Sequence, residues 1–185
     1  MACCRTLLLV SPLLALACAS PPPTTAVGDN AGSLEFAGLA DSPLAGWYSE
    51  ADRLGLVRVS RDDAAPCGGA SSMRVDFLSE PESGAGCPSV SRVIDVGGMA
   101  RSARFSVDLR GDVSGEAVLT AYVWDGNLAR CIAEAPARVS SSWSSHSLEV
   151  EVPHDREQVG LFVYLPRADR GSLWLGAPRF AASGE

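Results

Sequence analysis

Alternation of apolar and polar residues is the feature that leaves this chain the fewest folds. Phe105, Val107 and Leu109 interleave with Arg104, Ser106 and Asp108, and Leu148, Val150 and Val152 interleave with Glu149 and Glu151. A side-chain period of two marks a strand with one buried and one wet face. No window carries an apolar stripe at the helical period of 3.6. The same reading extends over SLEF, GLVRVS, SMRVDF, SVSRVIDV, ARFSVDLR, AVLTAYVW, LARCIAE, SLEVEV, VGLFVYL and SLWLGAPRF. Short strands with turn signals between them predict an all-β antiparallel β-sandwich or barrel. A length of 185 residues and a hydrophobic content of 46% supply one domain with a sizeable core.

Charge removes several functions. The 15 basic side chains are all arginine, against 22 acidic ones, for a net charge of -7. With no basic patch, nucleic acid is not an expected partner. Without lysine there is no Schiff-base or P-loop chemistry. Nor is a catalytic constellation legible. His146 sits in the serine-rich SSSWSSHS, His154 in the charged turn VPHDREQ, and Glu80 and Glu82 in loop sequence, while a G-x-S-x-G elbow is missing. The chain is read as a non-enzyme that needs no cofactor. C-x-x-C spacing is also missing, so no zinc site is expected.

The amino terminus carries a different signal. Arg5 precedes an apolar run over residues 7–17 that ends in small residues, the pattern of an export signal at residues 1–17. The run falls short of the roughly 20 residues a membrane span needs. At residues 15–18, ALAC resembles a bacterial lipobox, with Cys18 as the lipid-bearing first residue of the mature chain; an ordinary A-x-A cleavage site is the alternative. Residues 18–32 then form the lipidated cysteine and a Pro/Thr/Gly-rich tether, which in a polyproline II conformation reaches roughly 40 Å. Ala19 after the cysteine resembles outer-membrane sorting. The expected location is therefore the bacterial cell envelope, at the outer membrane, with the membrane as a partner through the lipid. Residues 33–181 make the β-sandwich domain and residues 182–185 a disordered tail.

Cysteine parity follows from that reading. Cys3 and Cys4 leave with the signal, and lipidation takes Cys18, so Cys67, Cys87 and Cys131 remain. An exported location permits one disulfide with one thiol left over. Cys67 and Cys87 precede successive strands, whose starts lie at opposite ends of a simple hairpin. Cys87–Cys131 is therefore favoured, with Cys67–Cys87 the alternative.

The order of several motifs resembles the galactose-binding-like jelly-roll domains common among carbohydrate-binding modules. They are LEFAG…AGWYSEAD, GGASSMRV, the strand from Arg101 to Gly111, AYVWDGN, SSWSSHSLEVEVP, VGLFVYLP and GSLWLGAPRF, together covering roughly residues 33–181. The resemblance implies a jelly-roll sandwich. The family often ends in a pattern with two acidic residues, where this chain has Gly176 and Ala177. The structural calcium tied to that pair is thus not carried over. Trp47 and Trp143 match positions that usually pack.

Candidate ligand contacts come from strands with large groups on both faces. If Leu119, Ala121 and Val123 fill the core, then Tyr122, Trp124, Phe162, Tyr164 and Trp174 share the outer face of one sheet. Aromatic faces stack on the C–H faces of sugars, and Asp125, Asn127 and Arg130 are the candidate polar neighbours for hydroxyl groups. Strands buried on both faces would show the same pattern. Asp125-Gly126 is in any case a hairpin-turn signal. The expected function is a membrane-anchored bacterial lipoprotein whose β-sandwich binds carbohydrate at or near the cell surface. The alternative is a non-catalytic structural or protein-interaction lipoprotein of the cell envelope, with an envelope protein rather than a glycan as partner.

Overall fold

The computed structural model describes residues 25–26, 32–33, 46–65, 67, 71–79, 87–96 and 102–182, of which 25–26, 32–33 and 182 by backbone alone. The expected signal, Cys18, most of the tether and residues 183–185 lie outside the described residues. In chain order the elements are β1 Thr25–Ala26, β2 Gly32–Ser33, α1 Glu50–Arg53, β3 Val57–Asp62, β4 Ser72–Phe77 and β5 Ser89–Asp95. They continue with β6 Ser102–Gly111, β7 Glu116–Asp125, β8 Leu128–Arg138, β9 Ser144–Glu151, β10 Gln158–Tyr164 and β11 Ser172–Ala182.

Two sheets result. One has the order β1-β5-β10-β7-β8, and the other β3-β4-β11-β6-β9, with β2 pairing to β11. Neighbours are antiparallel except β1, which runs parallel to β5. The fold is the antiparallel β-sandwich that the alternation predicts, with the jelly-roll form that the resemblance implies.

The period of two decides what fills the space between the sheets. Cross-strand partners share a face, so Leu119, Val163 and Val90 align in one sheet and Leu148, Phe105 and Phe180 in the other. All six are buried. Burying such side chains contributes about 1.5–3 kcal/mol each relative to exposure. A buried charge breaks the pattern: Arg92 pairs with Leu161 and so lies on the core-facing side, where desolvation lowers its pKa.

Two irregularities matter for function. Ala121 pairs with Ala133 but Tyr122 with Cys131, so Ile132 is an extra residue, a β-bulge that reverses the facing of everything before it in β8. In β11 the register shifts between Gly176 and Arg179, and Ala177 adopts φ 44°. Gly176 leaves room for two side chains, since a Cβ there would lie 3.1 Å from Cys67 Sγ and 3.2 Å from Trp143 Cη2. An acidic side chain at 176 has no space.

The expected Cys87–Cys131 bridge is not formed. Cys67 and Cys131 carry free thiols. The alternative Cys67–Cys87 bridge is likewise not formed. The physical reason is the strand order: β10 and β7 separate β5 from β8. At about 4.8 Å per strand this puts the two strands roughly 14 Å apart, beyond the ~7 Å Cα separation a disulfide tolerates.

Candidate functional site

The outer face of the β1-β5-β10-β7-β8 sheet is built by the residues that alternate with its core. On β7 these are Val118, Thr120, Tyr122 and Trp124, and on β10 Gly160, Phe162 and Tyr164. The hairpin joining β7 to β8 is closed by the Asp125–Leu128 pair, with Gly126 at φ 59°. That is the left-handed backbone a two-residue hairpin loop requires at its first position.

The four aromatic residues form one contiguous group. Tyr122 meets Phe162 edge to face, with ring centroids 5.2 Å apart and planes at 74°. Phe162 and Tyr164 lie 5.9 Å apart with planes at 17°. The Tyr164 hydroxyl donates to the Tyr122 hydroxyl at 3.3 Å. Trp124 reaches diagonally across to β10, where the far edge of its six-membered ring occupies the space above Gly160. All four are half-buried, whereas Leu119, Ala121 and Val123 behind them are no more than 1% exposed. The two faces of β7 are therefore not equivalent, and the aromatic one retains access to solvent.

A fifth aromatic residue, not picked out from the sequence, extends this face. Tyr48 and Ser91 exchange two backbone hydrogen bonds, each 2.8 Å, on the edge of β5 that β1 joins at Ile94 and Asp95. Ser91 pairs in turn with Phe162, which places Tyr48 on the aromatic side. It is 37% exposed. Ser49 fixes this segment twice: its hydroxyl donates to Ser89 O at 3.0 Å and caps α1 by accepting from Asp52 N at 3.3 Å. The Tyr48 hydroxyl bonds Glu50, whose carboxyl is held down at about 2 by hydrogen bonds from Arg53 and Tyr48.

The other expected contacts divide. Trp174 lies in β11 and belongs to the opposite sheet, so it does not join the aromatic group. There Arg74 from β4 and Arg110 from β6 stack on it, 5.2 and 4.6 Å from the ring centroid, and its indole N–H donates to Asp62 Oδ2 at 2.8 Å. Asp125 is exposed at the hairpin end, 3.5 Å from Arg156 Nη2, and Asn127 is exposed in the turn. Arg130 pairs with Val123 and so points to the core side of β8, away from the aromatic rings. Among the polar groups the register brings to the face are Thr120, Ser91 and Glu134 in one row, the first two buried and Glu134 exposed, Ser89 opposite Tyr164, and Cys131 beside Tyr122. Trp47 is buried, as its expected packing role requires. Trp143 is half-buried against Arg110, 5.2 Å from its ring centroid.

Reactive groups do not converge on this face. Cys67 lies on the opposite sheet, donates to Asp108 at 3.3 Å, and has its thiol pushed up to about 11 by desolvation and that carboxylate. Burial likewise raises Cys131. Ser144 Oγ and His146 Nε2 are 2.9 Å apart on β9, with no carboxylate bonded to the imidazole among the described residues. The third member that orients a nucleophile's base is thus missing there. No cluster of three or more metal-ligating side chains occurs among the described residues. A polar cavity of about 440 Å³, lined by Asp112, Ser114, Arg167 and Asp169 among others, contains none of the aromatic residues.

No protein-family model and no curated protein sequence matches the chain. Solved structures do. The family 11 carbohydrate-binding module of the cellulosomal cellulase Lic26A-Cel5E of Clostridium thermocellum superposes with a TM-score of 0.55 at 14% identity, covering 86% of this chain and 98% of that one. The CBM22-1 xylan-binding domain of Paenibacillus barcinonensis Xyn10C gives 0.54 at 12% identity, covering 76% and 88%. TmCBM61 in complex with β-1,4-galactotriose gives 0.53 at 13% identity, covering 74% and 88%. The protein has the galactose-binding-like jelly-roll fold of these modules; identities this low speak to fold alone.

Proposed function

We propose that this chain is a non-catalytic glycan-binding module whose ligand lies on the outer face of the β1-β5-β10-β7-β8 sheet. The observation that carries the reading is the contiguous group of Tyr122, Trp124, Phe162 and Tyr164, half open to solvent on the fold of carbohydrate-binding modules. Stacked sugar C–H faces suit such rings, and the exposed Glu134, in the row of Phe162, is placed to bond hydroxyl groups. One neighbour is named for xylan and another holds β-1,4-galactotriose, so β-1,4-linked polysaccharides are the first ligands to try. Affinity electrophoresis of the full chain through xylan and β-1,4-galactan tests this. Retardation that Trp124→Ala weakens tenfold or more is the expected result. Migration unaffected by any of a broad polysaccharide panel overturns it and leaves protein docking as the use of the face.

We further propose that the module is held at the bacterial outer membrane through a lipid on Cys18. Support comes from the lipobox-like ALAC and the proline-rich run behind it. Intact mass of the membrane-extracted protein reads this directly. Addition of a diacylglycerol to a chain beginning at Cys18 is expected, and an unmodified cysteine there overturns the anchor.

A further inference from the structure

We propose that Trp124 is the principal stacking residue of the glycan-binding face, and that Gly160 and Arg156 are the residues that position it. This rests on the reading of that face as a glycan site. Tyr122, Phe162 and Tyr164 are engaged with one another through edge, face and hydroxyl. Trp124 instead lies over bare backbone, and indole presents the largest π-surface of any side chain.

The bare backbone is Gly160. It sits mid-strand in β10 opposite Tyr122, where glycine weakens a sheet and signals close approach of another group. A Cβ at this position would overlap Trp124 Cη2, lie 2.9 Å from Cζ3, and come within 3.0 Å of Phe162 Cε2. Gly160 is not among the residues with positive φ, so its backbone conformation is open to any residue. Space for the indole is what the position provides.

Arg156 holds the other end of the same residue. Its Nη1 donates to the Trp124 carbonyl oxygen at 2.8 Å, and its Nη2 lies 3.5 Å from Asp125 Oδ1 and 3.4 Å from Asp155 Oδ2. The side chain is 25% exposed, so these links are screened less than a surface pair. Arg156 precedes β10 by two residues, and one short segment therefore grips Trp124 at its main chain and again under its ring.

A double-mutant cycle separates positioning from general stability. Gly160→Ala in the otherwise unchanged protein is expected to lower Tm, change the near-ultraviolet circular dichroism band of tryptophan, and weaken binding of xylohexaose or β-1,4-galactotriose at least tenfold. In a Trp124→Ala background the same change is expected to raise Tm and leave the residual affinity within twofold. Arg156→Met is expected to weaken binding about fivefold with a changed band, and Arg156→Lys to restore most of both. An altered band with unchanged affinity overturns Trp124 as the principal stacking residue. An unaltered band overturns Gly160 as its support. If the parent protein binds no glycan, the reading of the face fails, and this proposal with it, although the spectral arm still reports whether Gly160 seats the ring.

Discussion

The two outward faces of this sandwich use the same residue types to opposite ends. On one, Trp124 lies open beside Phe162 and two tyrosines. On the other, the register sets Arg74, Trp174 and Arg110 side by side across β4, β11 and β6, with Trp143 beyond, just before β9. Each tryptophan of that second row meets a guanidinium, and Trp174 meets one on either flank. Such contacts are worth about 0.5–1 kcal/mol when exposed and roughly 2 when desolvated. Trp174 also gives its only N–H to Asp62. Both rings are half-buried, but Trp174 is flanked by guanidinium groups and tied through its N–H, whereas Trp124 packs against other aromatic rings and the bare backbone of Gly160. An aromatic side chain becomes a platform or a brace according to what flanks it.

The contrast breaks most readily at the tryptophans. Trp174→Ala should destabilise the fold by about 2–3 kcal/mol in urea titration, through lost packing and lost cation–π contact, with glycan affinity unchanged. Trp124→Ala should do the reverse, removing affinity while destabilising by no more than about 1 kcal/mol. Equal effects on stability would erase the distinction between the two faces. Gly176→Ala comes next, because Cys67 and Trp143 occupy its space; overpacking of this kind costs about 1–3 kcal/mol.

A smaller effect sharpens the second face by pH. The Trp174 N–H, ahead of other causes, holds the Asp62 pKa below its ordinary value. A depressed folded pKa contributes stability above the unfolded value of about 3.9 and loses it as pH falls through the folded one. The stability gap between the parent protein and Asp62→Asn should therefore narrow steadily between about pH 5 and pH 2. A gap constant with pH would mean that the carboxylate charge does nothing for the row. The smallest effect belongs to the exposed Arg104–Glu149 pair on the same sheet, where Arg104→Ala should change stability by less than about 0.5 kcal/mol.

Much of this architecture was legible as a sequence. The alternation in β6, β7 and β9 identified the core, and it put Tyr122 and Trp124 on the same side of β7. What alternation does not encode is the sheet to which a strand belongs. Trp174 does point outward from its own strand, but β11 lies in the other sheet, so the expected fifth ring fell on the wrong surface. Arg130 was lost to a single residue. Counting by twos from Glu134 puts residue 130 on the aromatic side, and the bulge at Ile132 moves it to the other. The expected disulfide failed for a related reason, since nothing local in the chain records that β10 and β7 intervene between β5 and β8. Tyr48 carried no periodic signal because it joins the sheet through an isolated bridge rather than a strand.

The bulge has one more consequence. By turning Cys131 rather than Arg130 toward Tyr122, it leaves an exposed thiol at the rim of the aromatic group. Cys67, half-buried and bonded to Asp108, is the slower to alkylate of the two free thiols among the described residues. A maleimide dye would therefore label position 131 first and sit within reach of anything that settles on Trp124 and Tyr122. The chain carries its own attachment point for an optical reporter of occupancy, with no residue added or removed.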